Sequence, residues 1–331
     1  MSLKKSTRAR LSTGTRWRVL PWFLGLMVPV AGCTDSKPLP RADTPIVTAS
    51  AAPARPDSAA KVVSSSWQVG DGSAIYLPGD GGVAQVVLPP VLDDSVPPPG
   101  SAQLPAGAAP AMVDLFAPIG RIGSAALGEY VASAQPEVGE GCDAWPVVPF
   151  RNPSNAPASA WKLAIQAGLA EPFPTDSIGG LSPSDSAALV IQVNRAAALL
   201  PQDGVVDVLG RVPFSVRSAY RLRFPGDVDA VVAVVERRLN MEASPRVERS
   251  VLVLERPLKV RQYLAVWRDR QYAIEDDLVA VELLAVVRFR ESPQPVVFLG
   301  LDFGDGSRVQ MLRRTSGGIW SLRWASAYTG C

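Results

Sequence analysis

The apolar positions along this chain follow two periods. Over 183–200, Leu189, Val193, Ala196 and Leu200 recur at i, i+4, i+7 and i+11, the stripe of a helix that buries one face. Ser182-Pro183-Ser184-Asp185 is a start signal for it, and Pro201 with Gly204 is a stop. A second helix is predicted over about 157–169. Asn155-Ala156-Pro157 opens it, and Trp161, Ile165 and Leu169 share a face opposite Lys162 and Gln166. After Gly210 the period drops to two. The runs 216–224, 229–241, 248–256, 262–269, 278–291, 296–303, 307–314 and 319–328 read as strands. Ser244-Pro245, Ser292-Pro293, Gly304-Asp305-Gly306 and Gly317-Gly318 are turn-like joints between them. Closely spaced strands with short turns make an antiparallel meander, so the expected fold class is α+β: two helices packed on an antiparallel β-meander over about 212–328.

Upstream, 73–77 and 83–88 are short β-like runs around a Pro-Gly-Asp-Gly-Gly turn, a hairpin by its chemistry. Residues 89–110 are proline-rich, an exposed loop or second linker. The stretch 34–66 is Pro, Ala, Ser and Thr with few large apolar residues. It buries too little surface to offset its ordering entropy, so a flexible, disordered N-terminal tether is expected there. A weak echo runs through the strands. Ser244-Pro245 and Ser292-Pro293 are 48 residues apart, and Val251 and Val253 match Leu299 and Leu301 at the same offset.

The first eighteen residues carry Lys4, Lys5, Arg8, Arg10, Arg16 and Arg18 and no acid. An uncharged stretch from Val19 to Gly32 follows, too short and too proline-interrupted for a comfortable membrane span. It closes on Val30-Ala31-Gly32-Cys33. That ending resembles the lipobox of bacterial lipoproteins, and the resemblance covers only residues 1–33. It implies a signal peptide at 1–32 and diacylation of the Cys33 thiol. Two or three acyl chains, at about 0.8 kcal/mol per buried methylene, anchor stably where one does not. The resemblance further implies an outer-membrane address, since Thr34 is not the Asp that favours inner-membrane retention. The segments expected are therefore 1–32 as leader, 33–66 as tether, 67–110 as hairpin and loop, and 111–331 as the α+β domain.

The leader changes the charge picture. The chain has 33 Lys+Arg against 31 Asp+Glu, but six of the basic residues precede Cys33, which leaves 27 against 31 beyond it. The basic isoelectric point is then no argument for nucleic acid, and no nucleic-acid partner is expected. The remaining charge is uneven. Residues 33–210 hold 8 basic and 17 acidic residues, whereas 211–331 hold 19 basic and 14 acidic, 18 of the 19 being Arg. Such asymmetry fits an anionic partner, and equally two oppositely charged halves of one domain facing each other.

Two cysteines remain beyond the leader, Cys142 and Cys331. An even pair in an exported protein reads as a disulfide, with a free-thiol or metal-binding pair as the alternative. The chain contains no histidine, which removes Ser-His-Asp and Cys-His catalysis and His-ligated zinc. Ser58-Ala59-Ala60-Lys61 has the S-x-x-K spacing of serine acyl enzymes but falls in the tether without companion motifs. Asp302 and Asp305 offer oxygens for calcium, yet position 12 from Asp302 is Arg313 rather than Glu, and Asp305-Gly306 reads as a turn. The acidic doublets Asp93-Asp94 and Asp276-Asp277 are the remaining carboxylates for a glycosidase pair. No catalytic residue, metal or cofactor is expected.

What is left is arginine. Arg221, Arg223, Arg288, Arg290 and Arg313 alternate with apolar neighbours, which places each set on a solvent-side sheet face suited to bidentate grip of phosphate or carboxylate, or simply on the wet face that every sheet needs. Trp267, Trp320 and Trp324 read as sheet core. The sequence therefore predicts a lipid-anchored envelope protein, a binding or scaffolding module rather than an enzyme. Its expected partners are the membrane, through the lipid, and an anionic envelope component or an envelope protein. The alternative is a histidine-free carboxylate hydrolase acting on envelope polysaccharide.

Overall fold

A computed structural model describes residues 75–87, 112–128, 136–137, 139, 142–151, 160–201, 209–224, 228–240, 245–257, 259–290 and 292–331. The leader, Cys33, the tether and the proline-rich segment 89–110 lie outside these residues.

Six short strands close into an antiparallel barrel. They are β1 (Ile75–Pro78), β2 (Val83–Val87), β3 (Met112–Ala117), β4 (Gly120–Leu127), β5 (Val147–Arg151) and β6 (Leu163–Gln166). Their cyclic order is β1-β2-β5-β4-β3-β6, and Ile75 opposite Ile165 makes the closure. Closure removes the exposed edges that such short strands would otherwise present. Ile75, Val86, Val113, Leu115, Leu163 and Ile165 fill its core.

Two further sheets follow. The first has the order β12-β11-β10-β9-β8, from β8 (Thr175–Ser177), β9 (Ser215–Arg223), β10 (Val228–Leu239), β11 (Arg246–Pro257) and β12 (Leu264–Ile274). The second runs β16-β15-β14-β13-β7, from β7 (Ala170–Pro172), β13 (Ala280–Phe289), β14 (Pro295–Asp302), β15 (Gly306–Arg314) and β16 (Trp320–Ala325). A last strand, β17 (Thr329–Gly330), also pairs with β15. The two sheets stack over Val232, Val234, Val251 and Val253 from one and Leu283, Val297, Leu299 and Leu312 from the other. The outer face of the first sheet is covered by helix α1 (Pro183–Ala198), through Leu189, Val193, Ala196 and Ala197. The outer face of the second packs on the barrel, through Ala285, Val287, Phe298 and Trp324. The sheets are thus covered on both sides, and β10 is buried without interruption from Asp229 to Arg237.

This overturns the expected fold class. Among the described residues there is one α-helix rather than two, and the chain is mostly strand: a closed barrel and two stacked sheets in place of helices on a single meander. The stretch read as a helix over 157–169 supplies β6 and a turn instead. Trp161 and Ile165, four apart, share a face in a strand as well as in a helix. Leu163 decides between the two: it is buried like its neighbours and would point away from them on a helix. Gly168, at φ 80°, then turns the chain into β7. The eight downstream strands do pair in chain order, but the chain changes sheets at Glu275–Asp277, where no glycine or proline marks the crossing.

Among the described residues, no helix is long and apolar enough to cross a membrane.

Candidate functional site

Covering both faces of the first sheet buries five of its charged residues, Asp229, Glu236, Arg237, Glu248 and Glu255, and each of these finds a partner. At one end of the helix-side face, the Asp229 carboxylate accepts from Arg221 Nε and Nη2 at 2.9 and 3.1 Å, from Arg256 Nη2 at 2.6 Å and from the Tyr263 hydroxyl at 2.7 Å. Burial pushes that carboxyl up, but these hydrogen bonds outweigh it and hold it below the ordinary aspartate value. Burial, then the Asp229 carboxylate, push the Tyr263 hydroxyl far above the usual tyrosine range. At the other end, Glu248 binds Arg237 at 2.7 Å and Arg270 at 2.8 Å, with the Arg237 guanidinium over the Phe214 ring. The side chains of Arg237 and Glu248 are only 3% and 2% exposed, so neither charge has water to fall back on.

Two more clusters bridge the stacked sheets. Glu255 of β11 accepts from Arg314 Nε at 2.6 Å and from Trp320 Nε1 at 2.7 Å, both on the facing sheet. At the opposite end, Glu236 accepts from Arg249 Nη2 at 2.9 Å, and Arg249 Nη1 donates to the Val279 carbonyl at 2.8 Å. These contacts latch the sandwich together. They commit Glu255 and Glu236 to ion pairs.

Beside the second latch a cleft of about 350 Å³ opens between the sheets. Its walls are Arg217, Ser218 and Tyr220 of β9, Arg249 of β11 and Glu282 of β13, over a floor that includes Val234 and Leu283. A β-bulge makes this wall. Val216 pairs with Val235 and Ser218 with Val234, so Arg217 has no residue opposite it. Bulges re-aim side chains in this way. Arg217 is exposed, and among the described residues its side chain meets no carboxylate. The other charges are matched: Glu236 offsets Arg249, and Lys162 at 2.9 Å offsets Glu282. Arg217 is therefore, among the described residues, the cation of the cleft that has no ion-pair partner. Burial, then the Glu282 charge, raise the Tyr220 hydroxyl above its ordinary value, so it stays a neutral donor.

The five arginines of the sequence-based candidate surface lie elsewhere and not on one face. Arg221 and Arg223 belong to the first sheet and are paired with Asp229 and Asp176. Arg288 belongs to the second and is paired with Glu171. The Arg290 guanidinium lies against Gly168, and Arg313, half-buried on β15, sits between Val296 and Ser321. Arg217 carries the same alternating pattern as its neighbours, and nothing in the sequence marks the bulge that separates it from them.

Cys142 and Cys331 form a disulfide that closes 189 residues. Around it, Asp143 and Gly330 exchange backbone hydrogen bonds at 2.9 and 2.7 Å, and the Tyr328 hydroxyl donates to Asp305 at 2.6 Å. Asp302 accepts from the Gly304 backbone N–H at 2.8 Å. Asp302 and Asp305, read from the sequence as a turn rather than a calcium loop, are thus both engaged within the protein, and no group of metal-ligating residues occurs among the described residues. Asp276 and Asp277 sit on a surface turn, and Asp93, Asp94, Ser58 and Lys61 lie outside the described residues. Trp320 and Trp324 are buried in the two cores, with Trp267 packed against the first of them.

No family model, no curated protein and no solved structure matches this chain.

Proposed function

We propose that this chain is a lipid-anchored protein of the bacterial cell envelope. Cys33 carries the lipid, residues 33–66 tether the folded part to the membrane, and the folded part works as a binding or scaffolding module. The outer membrane, facing the periplasm, is the favoured address. The observation that carries this reading is the Cys142–Cys331 disulfide. Disulfides persist in exported proteins, so the bond fits the compartment that the leader implies. It also accounts for the other two of the chain's three cysteines and leaves Cys33, at the end of the lipobox-like sequence, as the third. The module reading is supported by the carboxylates committed to ion pairs, and by a cleft whose unmatched group is an arginine rather than an acid or a nucleophile.

Membrane fractionation of Cys33→Ala tests the anchor. The variant is expected to leave the membrane fraction or to accumulate with its leader attached. Unchanged fractionation and processing would contradict the proposal.

A further inference from the structure

The inter-sheet cleft has the makings of a ligand site, and its chemistry narrows the ligand. Three groups on one wall lack a protein partner among the described residues: the Arg217 guanidinium and the hydroxyls of Ser218 and Tyr220. A guanidinium offers donors in a planar fork that matches carboxylate or phosphate. Arg249 stands beside it with three of its five N–H donors already used, on Glu236 and on the Val279 carbonyl. Its position is therefore fixed, and its charge is balanced. Across the cleft, Glu282 is held by Lys162 at 2.9 Å, so it presents a hydrogen-bond acceptor whose negative charge the lysine offsets in part. Among the described residues the cleft thus has one arginine without a carboxylate partner, two hydroxyls, one acceptor and a small apolar floor. About 350 Å³ is near the lower end for small-molecule sites, room for a ring with a few substituents but not for a polymer segment.

We propose that this cleft binds a monosaccharide-sized anion, with a carboxylate or phosphate group on Arg217 and ring hydroxyls on Ser218, Tyr220 and Glu282. The proposal gives the binding-module reading its ligand class and rests on that reading. It does not rest on the lipid anchor, which Cys33→Ala reports separately.

Calorimetric titration of the full chain in detergent micelles at low salt tests it, with glucuronate and glucose 6-phosphate as the anions and glucose as the uncharged body. One or both anions should bind, and glucose should bind about tenfold more weakly or not at all. Arg217→Gln should lose about tenfold or more in affinity for the anion, and Arg217→Lys less, because it keeps the charge but not the fork. Arg217 is exposed, so the melting curves of both variants should match that of the parent chain. Binding of glucuronate alone would identify a uronic acid as the ligand class, and binding of glucose 6-phosphate alone a sugar phosphate. Absence of binding by both anions, equal binding of glucose, or full affinity in Arg217→Gln would overturn the proposal.

Discussion

At the scale of single residues, the charged side chains of the first sheet follow from its being covered twice. A sheet with one wet face carries its polar residues there, and that premise puts Arg221 and Arg223 in solvent. Arg221 and Arg223 do keep exposed side chains, at 42% and 64%, but the helix covers the outer face, and Asp229, Glu236, Arg237, Glu248 and Glu255 are all buried. Removing one partner from such a pair strands the other, which is why each is matched. Asp269 is the exception with a consequence. Burial is the main cause that raises its carboxyl above the ordinary 3.8, with a backbone hydrogen bond opposing it only in part. A raised folded value means that this residue's contribution to stability is complete below pH 3.8 and is lost as pH rises through the folded value. Asp269→Asn escapes that loss. Its melting temperature should exceed the parent's by about 2 °C or more at pH 7 and match it at pH 3. A variant no more stable than the parent at pH 7 would show that the carboxylate is not held at a cost.

At the scale of elements, the pattern in the sequence was legible where one face is wet or where a helix carries a full stripe. Helix α1 is such a case. Its stripe, the proline at its first position and the Ser182 hydroxyl accepting from the Asp185 N–H at 3.2 Å all point to the same start. The long strands β9 to β11 and β13 to β15 were legible for their β-branched content. The barrel was not. Its strands are four to eight residues long, some rich in alanine and glycine, and its closure joins Ile75 to Ile165 across a separation that no local signal encodes. The hairpin echo has a physical counterpart, because Val251, Val253, Leu299 and Leu301 all face the same inter-sheet core. The cleft was beyond sequence reading because it depends on a bulge and on the stacking of two sheets. The turn into β15 shows how tightly one element constrains another. A Cβ on Gly306 would overlap the Thr329 carbonyl and the Tyr328 ring. Gly306→Ala should therefore displace β17 and cost about 1–3 kcal/mol in chemical denaturation. A cost below about 0.5 kcal/mol would mean that β17 contributes little to the fold.

At the scale of the whole molecule, the disulfide ties β17 to the segment that leads into β5 of the barrel. A closed loop of 189 residues gives a stabilisation on the order of 5 kcal/mol in the chain-entropy account, an upper figure for real bonds. The same bond links the fold to its proposed address, because it fits an oxidising compartment and leaves Cys33 to the lipid. Mass spectrometry of the mature protein, extracted from the envelope and digested without reduction, tests both halves at once. A linked peptide containing Cys142 and Cys331 is expected, together with an N-terminal peptide that begins at Cys33 and carries the mass of at least two acyl chains. A free thiol at Cys33, with the leader still attached or cleaved elsewhere, would contradict it.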